Sequence, residues 1–172
     1  MAEYNNAIVL KNDLIISTNF LDYMNPALDH YQDNPQILSI SGYSSIIKGL
    51  DINEMCYTAK SSSCGWDCWE KRWNKIDWQS HSYKDFKTDS QVKSRFNKMG
   101  SDMCLMMKRK MQETINSCDI HFDFHKFLQG ACTIYPVYAL VDNIGFGSQG
   151  ESITFGYNGH KTILALIIFC AI

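Results

Sequence analysis

The sequence is distinguished by one aromatic stretch, Ser62-Ser63-Cys64-Gly65-Trp66-Asp67-Cys68-Trp69-Glu70-Lys71-Arg72-Trp73. All four tryptophans of the chain fall between Trp66 and Trp78. Glycine permits a sharp turn, and tryptophan rings offer flat apolar faces that suit sugar rings, while serine and aspartate can bind hydroxyls. The spacing of Trp66, Trp69 and Trp73 also predicts a helix over Cys64 to Trp73 with one aromatic face, so core packing is the alternative explanation.

The overall composition is that of an ordinary globular chain. Of its 172 residues, 45% are hydrophobic and 20% are charged, and the formal net charge is −2. Because no long basic run is present, a nucleic-acid partner is not expected. The polar N-terminus has no apolar segment like that of a signal peptide, and the seven cysteines are irregularly spaced. These features favour a reducing, cytoplasmic setting.

The end of the sequence is an almost wholly apolar run, Ile163 to Ile172. A helix needs about 20 apolar residues to cross a bilayer, so this run is too short. We expect a buried terminal element or the cut edge of something longer, with a membrane anchor as the further alternative.

Hydrophobic spacing predicts alternating strands and helices. Short apolar runs predict strands at Ala7–Leu10, Leu14–Ile16, Ile37–Ile40 and Thr133–Val141. Helical spacing predicts helices over Phe20–Tyr31 with a restart near Asn25, and over Asp85–Phe96, Met103–Ile115 and Ile120–Leu128. The first strand is expected to be buried, with its carboxyl end opening into a site. Tyr43–Tyr57 shows no period and is expected to be a loop. The pattern indicates an α/β fold with a mixed sheet flanked by helices.

The aromatic stretch resembles the Ser-Trp-Gly-Trp-x-x-Trp-x-x-x-Trp signature of bacterial GT-A glycosyltransferases related to family 2, sugar transferases of surface polysaccharide synthesis. Weaker matches occur in the same order along residues 7–150. Lys11-Asn12-Asp13 stands at the place of that family's Glu-Asp-Asp metal motif, and Gly100-Ser-Asp102 at its Gly-(Asp/Asn)-Asp. Ile115–Ile120 and Asn143–Phe146 resemble later segments.

The resemblance implies that residues 1–152 are the C-terminal portion of a GT-A domain that lacks its N-terminal nucleotide-binding unit, and that residues 153–172 form an unrecognised tail. It implies transfer of a sugar from a nucleotide-sugar donor to a saccharide acceptor. Asp102 would be the catalytic base, and Asp13 would bind a divalent metal, Mn²⁺ or Mg²⁺. The implied substrate-binding residues are Ser63, Gly65, Trp66, Trp69, Asn143 and Gly145.

Several alternatives stay open at this point. Asp102 also fits the N-cap of the following helix, and Asp13 also fits a solvated turn. Lys11 and Asn12 replace two carboxylates, which weakens a site for a hard cation. The chain is therefore also consistent with a truncated, non-catalytic remnant that acts at most as a carbohydrate-binding or protein-interaction module. Peripheral association with the inner face of the membrane and the oligomeric state are undetermined.

A zinc site is a further alternative, since two cysteines and two histidines have partly suitable spacing. His121 and His125 stand at i and i+4, the right separation for one face of a helix. Cys64 and Cys68 lack the usual separation of two residues, so the resemblance explains their segment better.

Overall fold

The computed structural model describes residues 5–44 and 55–144, which form a mixed sheet flanked by helices. The strands are β1 (Asn6–Val9), β2 (Leu14–Ile16), β3 (Ile37–Ser41), β4 (Met55–Thr58), β5 (Trp66–Trp69), β6 (Cys132–Pro136) and β7 (Val141–Asn143). The α-helices are α1 (Phe20–Tyr31), α2 (Glu70–Trp73), α3 (Tyr83–Phe86), α4 (Ser90–Phe96), α5 (Met103–Met111) and α6 (Asp119–Gln129), and a 3₁₀ turn covers Asn97–Met99. The expected α/β class, a mixed sheet flanked by helices, is confirmed.

The main sheet has the strand order β1-β5-β3-β6-β4. Strands β3 and β6 run parallel, and the other neighbouring strands are antiparallel. Strands β2 and β7 form a separate antiparallel pair. Because β1 is an edge strand and is only half-buried, the expectation of a buried first strand is wrong.

Two hydrophobic layers cover the two faces of this sheet. On one face, Phe20 and Met24 of α1 pack with Ile40 of β3 and Trp69 of β5. On the other face, Phe122 of α6 packs in a second cluster that includes Leu38 and Cys68. The candidate site lies on this second face, where α5 and α6 also pack together around a cluster that includes Met103, Met107 and Phe124.

The expectation of a helix over Cys64 to Trp73 is wrong for most of its length. Residues Trp66–Trp69 are a strand paired with both β1 and β3, and the helix α2 begins only at Glu70. Gly65, with φ +64°, supplies the left-handed turn that starts the strand. A helix here would leave the backbone groups of β1 and β3 without these partners, which is costly in a buried sheet.

Other boundaries also differ from the expectation. Residues 55–57 of the expected loop belong to strand β4, while residues 45–54 lie outside the described ranges. The expected strand over Thr133–Val141 is two strands in different sheets, because Pro136 ends β6 and has no N–H to donate. The expected helix over Asp85–Phe96 is two helices, and the Asp89 carboxylate caps the second by accepting from the backbone N–H of Gln91.

Helix α1 runs uninterrupted through Pro26, so the expected restart near Asn25 does not occur. Pro26 is exposed, and the carbonyl that its missing N–H leaves unpaired belongs to the exposed Asp22. Water can therefore satisfy that carbonyl. No helix within the described ranges is both long and apolar enough to cross a membrane. The proposed boundary at residue 152 lies outside those ranges.

Candidate saccharide-binding site

A cavity of about 390 Å³ opens between α5, α6 and the loop that connects β4 to β5. Three consecutive serines of that loop, Ser61–Ser63, form one wall, and we call this cavity the serine pocket. The carboxylates of Asp119 and Asp123 on α6 also line it, together with the Tyr135 ring. The thioethers of Met99, Met103 and Met106 supply an apolar side. A concave site with an apolar side and several hydroxyls and carboxylates suits a polar organic ligand.

The loop that carries the serines is attached at its start by hydroxyl groups. The backbone oxygen of Lys60 accepts hydrogen bonds from the Tyr135 hydroxyl at 2.8 Å and from the Thr58 hydroxyl at 2.5 Å. Burial raises the pKa of Tyr135 far above its ordinary value, so this phenol stays a donor. The side chain of Lys60 is exposed and borders the serine pocket.

The loop is attached a second time through Ser61. Its backbone N–H donates to Oδ1 of Asp123 at 2.7 Å, and its hydroxyl accepts from the Nζ of Lys126 at 2.6 Å. Lys126 is wholly buried and Asp123 nearly so, and their charged atoms lie 3.3 Å apart. Burial lowers the pKa of Lys126 to about 8, against the opposing effect of Asp123. At neutral pH this lysine is therefore mainly an ammonium group.

The turn after β1 reaches the same serine wall. The Nζ of Lys11 donates to the Ser63 hydroxyl at 3.0 Å. Asp13 is half-buried, and its backbone oxygen accepts from the N–H of Ile144 at 3.0 Å. The Oδ1 of Asp13 is buried and has no hydrogen-bond partner among the described residues. The motif suggested by the sequence thus lies beside Ser63.

The metal implied at Asp13 does not fit the groups around it. Mg²⁺ and Mn²⁺ favour several anionic oxygen ligands, whereas the two residues before Asp13 are a cation and a neutral amide. Within residues 5–44 and 55–144, no group of three or more histidine, cysteine, aspartate or glutamate side chains is placed to hold a metal ion. The zinc alternative at Cys64, Cys68, His121 and His125 receives no support either, because these four described residues do not form such a group.

A narrow aromatic groove adjoins the serine pocket and shares the Ser61–Ser63 wall and Asp119 with it. Trp66, Trp73, Trp78 and Phe122 line the groove, and all three tryptophans are half-buried. The ring centroids of Trp66 and Trp73 lie 6.0 Å apart, and those of Trp73 and Trp78 lie 4.7 Å apart. Of the residues implied for substrate binding, Ser63 and Trp66 therefore do lie together at a concave surface.

Trp69 lies on the opposite face of the sheet from Trp66. Side chains alternate between the two faces along a strand, and these two residues are three positions apart. It is 7% exposed and packs in the cluster under α1. The guanidinium of Arg72 stacks on its ring, 3.6 Å from the centroid. The same guanidinium donates to the backbone oxygens of Tyr31, Gln32 and Asn34, just beyond α1. The observed position of Trp69 is in the core and away from both the serine pocket and the groove.

Two further implied residues also have packing roles in the structure. A Cβ on Gly65 would lie 2.9 Å from a methyl group of Val141, and its φ of +64° favours glycine. Asn143 is buried, and its amide donates to the sulfur of Cys64 at 3.7 Å. Neither residue lines the serine pocket or the groove. Gly145 lies outside the described residues.

Asp102 is the exposed N-cap residue of α5, but its side chain makes no capping hydrogen bond. It does not line the serine pocket, although the next residue, Met103, does. Its Oδ1 lies 3.2 Å from the point where a Cβ on Gly100 would be, and the Nζ of Lys60 lies 3.6 Å from that point. The carboxylate of Asp102 thus makes no capping hydrogen bond and lies near the side chain of Lys60, which lines the serine pocket.

Sequence reasoning missed the carboxylates and the lysine of α6. Asp119, Asp123 and Lys126 stand at i, i+4 and i+7, which places them on one face of a helix. This charged stripe can be recognised in the sequence, but a charged stripe on a helix indicates a solvated face unless its burial is known. Lys126 and Asp123 are in fact among the most buried polar residues of the described chain.

No protein family matches the chain, and no curated protein matches it. The resemblance to glycosyltransferases is therefore carried by the sequence motifs alone. The function has to be argued from the chemistry of the site.

Proposed function

We propose that this chain is the acceptor-side part of a GT-A glycosyltransferase of the family 2 type and that the serine pocket binds its saccharide acceptor. The observation that carries the proposal is the shared wall of Ser61–Ser63, with a pocket of hydroxyls and carboxylates on one side and an aromatic groove on the other. Serine hydroxyls and Asp119 are suited to sugar hydroxyls, and tryptophan rings are suited to the apolar faces of sugar rings.

In the proposed reaction, an acceptor hydroxyl attacks the anomeric carbon of a nucleotide-sugar donor. The new glycosidic bond forms as the bond to the nucleotide diphosphate breaks. Asp102 takes the proton of the attacking hydroxyl as a general base. Two features support this role: the carboxylate makes no capping bond, and it lies near the side chain of Lys60, which lines the pocket. The ammonium of Lys11, beside Ser63, supplies positive charge at the segment that resembles the family's metal motif.

Saccharide binding is tested with the tryptophans as reporters. A panel of hexoses, N-acetylhexosamines and hexuronic acids, each free and as a disaccharide, is titrated while tryptophan fluorescence is recorded. We expect at least one compound to change the signal, and Ser62→Ala to weaken its binding about tenfold through loss of a hydrogen bond. Ser94→Ala, an exposed serine on α4, is the matched control and should bind as the unchanged protein does.

Transfer is tested separately with UDP-, GDP- and dTDP-sugars and whichever saccharide binds. Release of nucleoside diphosphate that depends on the acceptor would support the enzyme. If no saccharide changes the fluorescence and no donor is consumed, the proposal is wrong.

The second candidate is a saccharide-binding chain that performs no transfer. The lone carboxylate of Asp13, with the cation of Lys11 two residues before it, favours this candidate. Saccharide binding without any donor consumption would establish it.

A further inference from the structure

Ser61 is held at both its backbone and its side chain by two residues of one helix. Its N–H donates to the carboxylate of Asp123, and its hydroxyl accepts from the ammonium of Lys126. Ser61 is the first residue of the Ser61–Ser63 wall, which both the serine pocket and the aromatic groove share. The position of the wall therefore depends directly on these two side chains of α6.

Lys126 connects this wall to the centre of the sheet. Its Nζ also donates to the hydroxyl of Thr133 on β6 at 2.7 Å, and that hydroxyl lies 2.7 Å from the Ser39 hydroxyl on β3. An ammonium group has three protons, and three oxygens surround this one: those of Ser61, Thr133 and Asp123. The network is fully satisfied, and it runs from the two parallel strands to the loop.

Stability alone does not account for this pair. Burying two charges costs several kcal/mol each, and apolar residues of similar volume in their place are often neutral or stabilising. Other inward residues of α6, such as Ile120 and Phe124, are apolar. A satisfied polar network instead fixes one geometry of the groups that it joins.

We propose that Asp123 and Lys126 are positioning residues that hold the Ser61–Ser63 wall in the conformation that binds the ligand. This inference rests on the proposed function of the serine pocket. Lys126 does not line the pocket, so it acts on a ligand through the two pocket residues that it contacts, Ser61 and Asp123. Asp123 lines the pocket and also holds the loop, so Lys126 gives the cleaner test.

The test compares Lys126→Met with Thr133→Val in the full chain. Both substitutions remove the bond between Nζ and Thr133, but only the first also removes the bond to Ser61 and the ion pair with Asp123. Hydrogen exchange at the Ser61–Ser63 amides is measured by NMR without any saccharide, and affinity is measured for the saccharide that binds. With Lys126→Met we expect about tenfold faster exchange and about tenfold weaker binding. With Thr133→Val both values should stay within about twofold of those of the unchanged protein.

Native exchange and native affinity in Lys126→Met would overturn the proposal, as would equal loss in Thr133→Val. If Lys126→Met does not fold because Asp123 is left as an unpaired buried charge, Asp123→Asn/Lys126→Met removes both charges and keeps an acceptor for the Ser61 N–H. The same faster exchange is then expected in the double variant. The exchange measurement needs no ligand, so a failure of saccharide binding would refute the proposed function without affecting this result.

Discussion

The Nζ of Lys11 lies 3.0 Å from the Oγ of Ser63, and this hydrogen bond joins the turn after β1 to the serine wall. Lys11 stands where the family that the sequence resembles has a carboxylate, and its ammonium group already donates a hydrogen bond to the pocket residue Ser63. Because the cation of Lys11 offsets the charge of the Asp13 carboxylate, this turn has no net negative charge to attract a divalent cation.

We predict that Mn²⁺ at millimolar concentration leaves the melting temperature of the chain unchanged, whereas Lys11→Glu/Asn12→Asp gains metal binding. Two new carboxylates would then join that of Asp13 in one turn, which makes three, and a ligand that binds only the folded state stabilises it. The double variant should melt about 2–4 °C higher with Mn²⁺ than without it. Lys71→Glu/Asn74→Asp makes the same charge changes at exposed positions and should show no gain. Equal responses of the two double variants would contradict the prediction.

The positions of Trp69 and Trp66 predict different consequences for the two tryptophans. Trp69→Ala should lower the free energy of unfolding by about 3–5 kcal/mol, because it empties a core position and removes the ring on which Arg72 stacks. Trp66→Ala should cost less stability, since that ring is half-buried, and should weaken saccharide binding about tenfold. Urea unfolding and saccharide titration measure the two effects. A stable Trp69→Ala protein would show that Trp69 is not part of the core.

Asp67 predicts a pH dependence of stability. It is fully buried on β5, one carboxylate oxygen accepts from the N–H of Ala7, and the other has no hydrogen-bond partner among the described residues. Burial raises its pKa from 3.8 to about 6, partly offset by the nearby backbone N–H groups of Ala7 and Cys68. Between about pH 4 and pH 6 the folded chain therefore binds this proton more tightly than the unfolded chain. The contribution of Asp67 to stability is present below this window and is lost as pH rises through it.

Asp67→Asn should remove this dependence. The variant should match the unchanged protein near pH 4 and exceed it above pH 6, by an amount on the order of 1–3 kcal/mol. The asparagine keeps an oxygen that can accept from Ala7. Chemical unfolding at a series of pH values measures the difference, and the exposed Asp142→Asn serves as the control. Parallel pH curves for Asp67→Asn and the unchanged protein would show that the group does not titrate in this window.

Asp102→Asn separates the two roles considered for this residue. Because its side chain makes no capping hydrogen bond and is exposed, the substitution should change the free energy of unfolding by less than about 0.5 kcal/mol. If Asp102 is the base, transfer should fall by a factor of about 10² or more while saccharide binding is retained. A loss of stability with unchanged turnover would assign it to the helix end instead.

Local periodicity was sufficient for much of the fold. Helix α1 begins at Phe20 and ends at Tyr31 as expected, because its apolar residues repeat with helical spacing and cover one face. Strand β3 and helices α5 and α6 were also found close to their predicted positions. Helices α1 and α5 each bury one face, and every residue of β3 is buried, so the hydrophobic pattern of the sequence records these elements directly.

What the sequence by itself determined is therefore the α/β class, the main helices and the neighbourhood of Ser63 and Trp66. Only the tertiary structure decided that Trp66–Trp69 is a strand, since the spacing of the tryptophans suits a helix, but pairing with both β1 and β3 satisfies the backbone. That pairing places Trp69 in the core and leaves Trp66 beside the pocket. Only the tertiary structure showed that Asp123 and Lys126 are buried and contact the loop that carries Ser61. A charged stripe on a helix is solvated unless another element covers it.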